Sequence, residues 1–132
     1  ANDGDDTLQG DDGNDEIHGH GGDDLIGGGD GDDYITSDDG FDLINGGDGD
    51  DNINSGGDDD TIVGGDGNDT LFGGSGADVV LGEDGDDRVF GQGGVSDTLS
   101  GGEGSDVLVG LAGEIDEAFT VDASVRALLD SV

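Results

Sequence analysis

Gly46-Gly47-Asp48-Gly49-Asp50-Asp51 followed by Asn52-Ile53-Asn54 is a nine-residue unit that the chain repeats, with small changes, over most of its length. The glycines supply positive φ and close backbone approach, so the first six residues read as a turn. The last three set one branched apolar residue between two polar ones. That is strand alternation at its shortest, with position 8 inward and positions 7 and 9 outward. Three residues cannot bury a face alone. Stacked rungs can, because each strand pairs with its equivalent in the next coil about 4.8 Å away.

Stepping by nine from residue 1, the sixth position reads Asp6, Asp15, Asp24, Asp33, Asp42, Asp51, Asp60, Asp69, Asp78 and Asp87, then Asp97 and Asp106 after one extra residue. Chance placement of the chain's aspartates would put roughly three of twelve in phase, so the period is real. The eighth position is aliphatic throughout: Leu8, Ile17, Ile26, Ile35, Ile44, Ile53, Ile62, Leu71, Val80, Val89, Leu99 and Leu108. Position 4 is Gly except at Asp58. Residues 1–109 therefore divide into twelve repeats, the eleventh of them a decapeptide whose extra residue is either near Val95 or Gly91 itself. The first repeat opens Ala1-Asn2, which reads as a piece of something longer.

The chain has 132 residues, a length that suggests one domain. Its 36 acidic residues against two basic ones give a net charge of -34, and only 29% of residues are hydrophobic. Nucleic acid and anionic membrane surfaces are excluded as partners, because both require Lys and Arg to displace counterions. No apolar run approaches the roughly 18 residues of a membrane span. With no cysteine there are no disulfides or thiolate metal sites. Low hydrophobicity with extreme charge ordinarily marks disorder. A regular pulse of Ile, Leu and Val is what a solvated acidic tail has no reason to keep.

Turns that concentrate carboxylates beside kinked backbone carbonyls suit a hard cation with oxygen ligands. Calcium accepts six to eight oxygens at flexible geometry, whereas magnesium demands a stricter octahedron and keeps its waters. Zinc would want His or Cys, and the one His-x-His pair, His18 and His20, falls on exposed positions and reads as two solvated imidazoles. An EF-hand needs flanking helices and a Glu closing a twelve-residue loop, and neither is present. No phosphate-binding Gly-Lys loop and no Ser-His-Asp spacing stand out, so the expectation is a binding module and not an enzyme. The further acids at positions 3 and 5, among them Asp30, Asp32, Asp48, Asp50, Asp66 and Asp86, are expected to be solvated outer-shell charge.

The unit G-G-x-G-x-D-x-U-x, with U a large aliphatic residue, resembles the nonapeptide of the RTX (repeats-in-toxin, haemolysin-type calcium-binding) family, over about five-sixths of the chain. The resemblance implies an all-β fold: a right-handed parallel β-roll, a two-sheet solenoid of 18-residue coils with one column of turns along each edge. It also implies that each ion lies between repeats i and i+2. One turn would give the carbonyls of positions 2 and 4 and its Asp; the other would give the carbonyls of positions 1 and 3 and its Asp. The twelve aspartates above are then the side-chain ligands. In the odd column the carbonyls are those of Asn2 and Gly4; Gly19, His20, Gly21 and Gly22; Ser37, Asp38, Asp39 and Gly40; Ser55, Gly56, Gly57 and Asp58; Gly73, Gly74, Ser75 and Gly76; and Gly91 and Gly93. In the even column they are those of Asp11 and Gly13; Gly28, Gly29, Asp30 and Gly31; Gly46, Gly47, Asp48 and Gly49; Gly64, Gly65, Asp66 and Gly67; Gly82, Glu83, Asp84 and Gly85; and Gly101 and Glu103. Two columns of six turns leave room for about ten calcium ions, which would still leave a net charge near about -14.

By the same resemblance the chain is a module of a secreted protein of a Gram-negative bacterium, extracellular or at the cell surface. It would pass a type I secretion channel unfolded, fold on millimolar calcium outside, and stabilise its parent protein. The rival is a calcium-stiffened segment of an adhesin or surface-layer protein. An ice-binding surface would need an outward Thr rank, which position 7 does not supply, and an unfolded acidic buffer would not keep the position-8 aliphatics.

Beyond the repeats, residues 110–132 are expected to form a degenerate repeat and a C-terminal cap or tail. Asp122 is a candidate N-cap, and Val125, Leu128, Leu129 and Val132 share helical spacing, so the reading is a short amphipathic helix over the open end of the roll. The rival is an uncleaved secretion signal. Position 9 of the later even repeats places Phe72, Phe90 and Val109 on successive outward rungs. Such an apolar stripe calls for a cover. The candidates are a second copy of the chain, domains of the parent protein, and the tail, of which the tail is the favoured one.

Overall fold

The computed structural model describes residues 2–94, 96–110 and 128–132. Its strands are β1 (Thr7–Asp12), β2 (Glu16–Gly21), β3 (Leu25–Asp30), β4 (Tyr34–Asp39), β5 (Leu43–Asp48), β6 (Asn52–Gly57), β7 (Thr61–Asp66), β8 (Thr70–Ser75), β9 (Val79–Asp84), β10 (Arg88–Gln92), β11 (Thr98–Glu103) and β12 (Val107–Val109). Odd strands form one six-stranded sheet in the order β1-β3-β5-β7-β9-β11, and even strands the other, β12-β10-β8-β6-β4-β2. All pairings are parallel, as in Ile44↔Ile62 and Ile53↔Leu71. The result is a β-solenoid of about six turns, as the repeat implied.

The strands are longer than the three residues the alternation predicted. Strands β1 to β9 and β11 run on through positions 1–3 of the next repeat, so that only positions 4–6 form the turn; β10 stops at position 2 and β12 at position 9. The ladder skips position 1 and resumes at position 2, where glycines such as Gly29 and Gly47 take φ of 118°. The kink bends the chain without ending the pairing, because positive φ at that point keeps the following N–H and C=O directed along the solenoid axis.

Position 8 fills the interior. Ile26, Ile35, Ile44, Ile53, Ile62, Leu71, Val80, Val89 and Leu99 are fully buried in one cluster, with Leu8 and Leu108 partly buried at its ends. One row of Ile, Leu and Val per sheet packs rung on rung, because each rung nearly repeats the shape of the last.

The extra residue of the eleventh repeat is located by register. Phe90 pairs with Phe72 and Gln92 with Gly74, while Thr98 pairs with Val79. Gly91 therefore holds an ordinary position 1, and the insertion lies between Gln92 and Asp97, around Val95, which is outside the described residues.

Phe72, Phe90 and Val109 do lie on adjacent rungs, and the two phenyl rings stack 4.9 Å apart at 13°. The described end of the tail does not cover them. Asp122 and Val125 lie outside the described residues. The described end of the tail packs Leu129, 1% exposed, against Val63 and Leu81 on the opposite sheet, and neither Leu129 nor Val132 lies at the open end. Leu43 and Val79 flank that contact, and Val132 lies over Gly27. Strands β5, β7 and β9 offer a broader apolar face there than the even sheet's single stripe, so burial favours that side.

Candidate metal centre

The turns of neighbouring coils are first tied by backbone. The N–H of Gly49 donates to Asp66 O at 2.7 Å, and that of Gly67 to Asp84 O at 2.8 Å. The N–H of Asn52 donates to Asp33 O at 2.9 Å, and that of Thr70 to Asp51 O at 2.8 Å. Between these fixed points the position-6 aspartates stack in two columns. In one, the N–H groups of Asp33, Asp51 and Asp69 donate to Oδ1 of Asp51, Asp69 and Asp87, each at 2.8 Å. In the other, those of Asp24, Asp42 and Asp60 donate to Oδ1 of Asp42, Asp60 and Asp78, at 2.9, 2.8 and 3.0 Å.

One carboxylate oxygen is thus used, and the second is not. Oδ2 of Asp15, Asp24, Asp33, Asp42, Asp51, Asp60, Asp69, Asp78 and Asp87 is buried with no hydrogen-bond partner. A buried, unpaired carboxylate oxygen is among the costliest groups a fold can hold. Position 1 shows where these atoms point. A Cβ built on Gly28, Gly46, Gly64 or Gly82 would collide with Oδ2 of its own repeat's Asp and with the position-1 carbonyl of the next coil. Two oxygens that both accept and never donate converge there, an arrangement that a cation or a proton would relieve.

The acidities express the same fact. Burial raises Asp51, Asp60 and Asp69 from 3.8 to about 7 and Asp78 to about 6, against the lowering effect of the backbone N–H, with neighbouring carboxylates adding to the rise. Asp33, Asp42 and Asp87 shift the same way, burial first. The donor set of carboxylates and carbonyls is all hard oxygen, and calcium fits it. Asp6 and Asp106, at the ends of the columns, are only partly buried.

Position 5 does something the sequence reading missed. Oδ1 of Asp32 accepts the Asp50 N–H at 3.0 Å, Asp50 accepts from Asn68 at 2.8 Å, Asn68 from Asp86 at 2.9 Å, and Asp86 from Ser105 at 2.9 Å. These residues are not merely solvated charge, as expected; each caps the turn of the next coil. The signal was present in Asn14 and Asn68, which replace Asp without loss because an acceptor oxygen is needed and a charge is not. Position-3 acids such as Asp30, Asp48 and Asp66 are exposed, as expected.

His18 sits beside Thr36, Nδ1 to Oγ1 2.8 Å, and beside Glu16, Nε2 to Oε1 3.1 Å, and His20 lies 3.6 Å from Asp38. Among the described residues, no cluster of three or more His, Cys, Asp or Glu side chains has the geometry to hold a metal ion by side chains alone. No helix among the described residues is long and apolar enough to cross a membrane.

Comparison with known proteins adds one match. The family described as RTX calcium-binding nonapeptide repeat matches in four copies, over residues 1–35, 27–62, 63–96 and 92–114. No curated protein and no solved structure matches the chain significantly.

Proposed function

We propose, from the premise that this chain belongs to the RTX calcium-binding nonapeptide-repeat family, that it is a calcium-loaded structural module that folds as it takes up its ions. A mid-roll ion is held by the carbonyls of Gly47 and Gly49 with Asp51, and by the carbonyls of Gly64 and Asp66 with Asp69. The observation that carries the reading is the buried Oδ2 of nine aspartates, each left without a donor. About ten such ions in two columns would neutralise the stacked carboxylates. Where calcium is scarce, as in a cytosol, the columns repel and the chain stays unfolded; in the millimolar calcium outside a cell it closes into the roll. The chain is then suited to export unfolded and to stabilising a secreted parent protein.

Calorimetric titration tests the assignment. Calcium should bind at several equivalents per chain in a steep transition near millimolar concentration. Magnesium at the same concentration should produce little heat, because it demands a stricter octahedron and keeps its waters. Equal uptake of magnesium would contradict the site, and so would a single calcium per chain.

A further inference from the structure

We propose that the Asp-Gly bonds of the turns are sites of spontaneous isomerisation, and that the roll shuts the reaction off by holding the glycine N–H groups. The inference rests on the calcium-coupled folding above and adds a covalent consequence to it.

Every Asp-Gly pair in the chain falls on positions 3 and 4. Five stand on successive even coils: Asp12-Gly13, Asp30-Gly31, Asp48-Gly49, Asp66-Gly67 and Asp84-Gly85. Asp3-Gly4 and Asp39-Gly40 are on the odd edge. In such a pair the backbone nitrogen of glycine can attack Cγ of the aspartic acid before it, and the missing Cβ leaves that nitrogen open to approach. A bond forms between N and Cγ, the Cγ–OH bond breaks, and the hydroxyl leaves as water with the amide proton. Water then opens the succinimide at either carbonyl. Cleavage at Cγ restores aspartate. Cleavage at the backbone carbonyl gives isoaspartate, with the main chain now running through Cβ and Cγ. Solvent water is the sole co-reactant.

The carboxyls of these pairs are all exposed, so burial does not restrain them. Control lies with the nitrogen. The N–H groups of Gly13, Gly31, Gly49, Gly67 and Gly85 donate to the position-3 carbonyl of the next coil at 2.6, 2.7, 2.7, 2.8 and 2.8 Å. Gly4 donates likewise to Gly21 O, and Gly40 to Gly57 O at the longer 3.3 Å. The residue before the nitrogen is also held, as Asp48 is by its pairing with Asp66 in the ladder. A nitrogen fixed on both sides in this way cannot turn toward Cγ of its neighbour. An isoaspartate adds a backbone atom between the ladder points at positions 2 and 7, and so displaces the register that stacking needs. Without calcium the chain ages toward one that cannot close.

The test ages the whole chain at pH 7.5 for equal times in chelator and in millimolar calcium. Isoaspartate is counted peptide by peptide through labelled methyl transfer by an isoaspartyl methyltransferase, and circular dichroism records the fold of each sample. Chelator should yield isoaspartate at the seven pairs. Calcium should slow it at least about tenfold, because only the transiently open fraction of a folded chain reacts. Among the internal pairs, Asp39-Gly40 should be the fastest that remains in calcium. Glu103-Gly104 occupies the same two positions with one more methylene, and Glu103 O still accepts the Gly85 N–H at 2.8 Å. That pair should stay unchanged in both buffers, and so should residue 48 in D48E. Equal rates in folded and unfolded samples would overturn the inference, as would an unmodified coil in chelator. Full β structure in chelator would instead overturn the calcium reading, and urea-unfolded against folded chain would then supply the comparison. A coil in both buffers would overturn both.

Discussion

Replacing Asp51 with Asn isolates what its charge contributes. The amide keeps the shape and the Oδ1 that accepts the Asp33 N–H at 2.8 Å, and it removes only the negative charge. In a loaded roll Asp51 faces one ion above and one below. At a calcium–oxygen distance of about 2.4 Å, a carboxylate and a dication attract by about 3.5 kcal/mol even at water's dielectric, so two ions lose about 7 kcal/mol. Removing the charge also relieves repulsion from Asp33 and Asp69, about 1 kcal/mol each at a rung spacing of about 4.8 Å. The net loss is about 5 kcal/mol. Spread over about ten ions taken up in one transition, it is about 0.5 kcal/mol per ion, which moves the calcium midpoint up about twofold. Asp6→Asn touches one gap and one neighbour, so its shift should be nearer about 1.5-fold. Calcium titration followed by circular dichroism resolves that difference. Equal shifts at the two positions would refute the shared column. An unmoved midpoint with two ions individually lost would refute the single transition.

Acidity offers a second handle, and its sign is fixed by the direction of the shifts. Asp51, Asp60 and Asp69 move from 3.8 to about 7 in the folded roll, so between those values the folded state binds more protons than the unfolded chain. In chelator, β structure should therefore grow as the pH is lowered from 8 to 5 and fade as it rises through about 7, with protons standing in for calcium. Far-UV circular dichroism in chelator at the two pH values checks this, and loss of β signal on acidification would contradict it. In the core, Ile53→Ala should cost about 2–5 kcal/mol and raise the calcium midpoint, whereas the exposed Asn52→Ala should leave it nearly unchanged. Matching midpoints for the two variants would show that the aliphatic row does not support the roll. Leu129→Asp should uncover Val63 and Leu81, seen as increased binding of a hydrophobic dye by the calcium-loaded protein. Unchanged dye binding would mean that the tail contact does not cover that face.

Much of this fold could be read from two positions of the repeat. Asp at position 6 and an aliphatic residue at position 8 set the period, the inward row and the two columns, because both properties survive in every copy and neither depends on distant contacts. What escaped had a different physical origin. The strands continue through positions 1–3 because a parallel ladder needs only backbone alignment, which the side-chain pattern does not report. The capping by Asp32, Asp50 and Asn68 was hidden because exposed Asp in a turn has the same composition whether it caps or is only hydrated. The tail's side of the roll was not legible, since the choice between the Phe72–Phe90 stripe and the Val63–Leu81 face depends on apolar area summed over several strands.

The central claim is that the roll exists because cations reconcile its buried carboxylates, and its most direct test is far-UV circular dichroism of the chain at pH 7.5, first in chelator and then in millimolar calcium. The spectrum should be that of a coil in chelator and of β structure in calcium, with a steep transition that chelator reverses. A full β spectrum in chelator would contradict the account, because the nine unpaired Asp oxygens would then be tolerated without any ion.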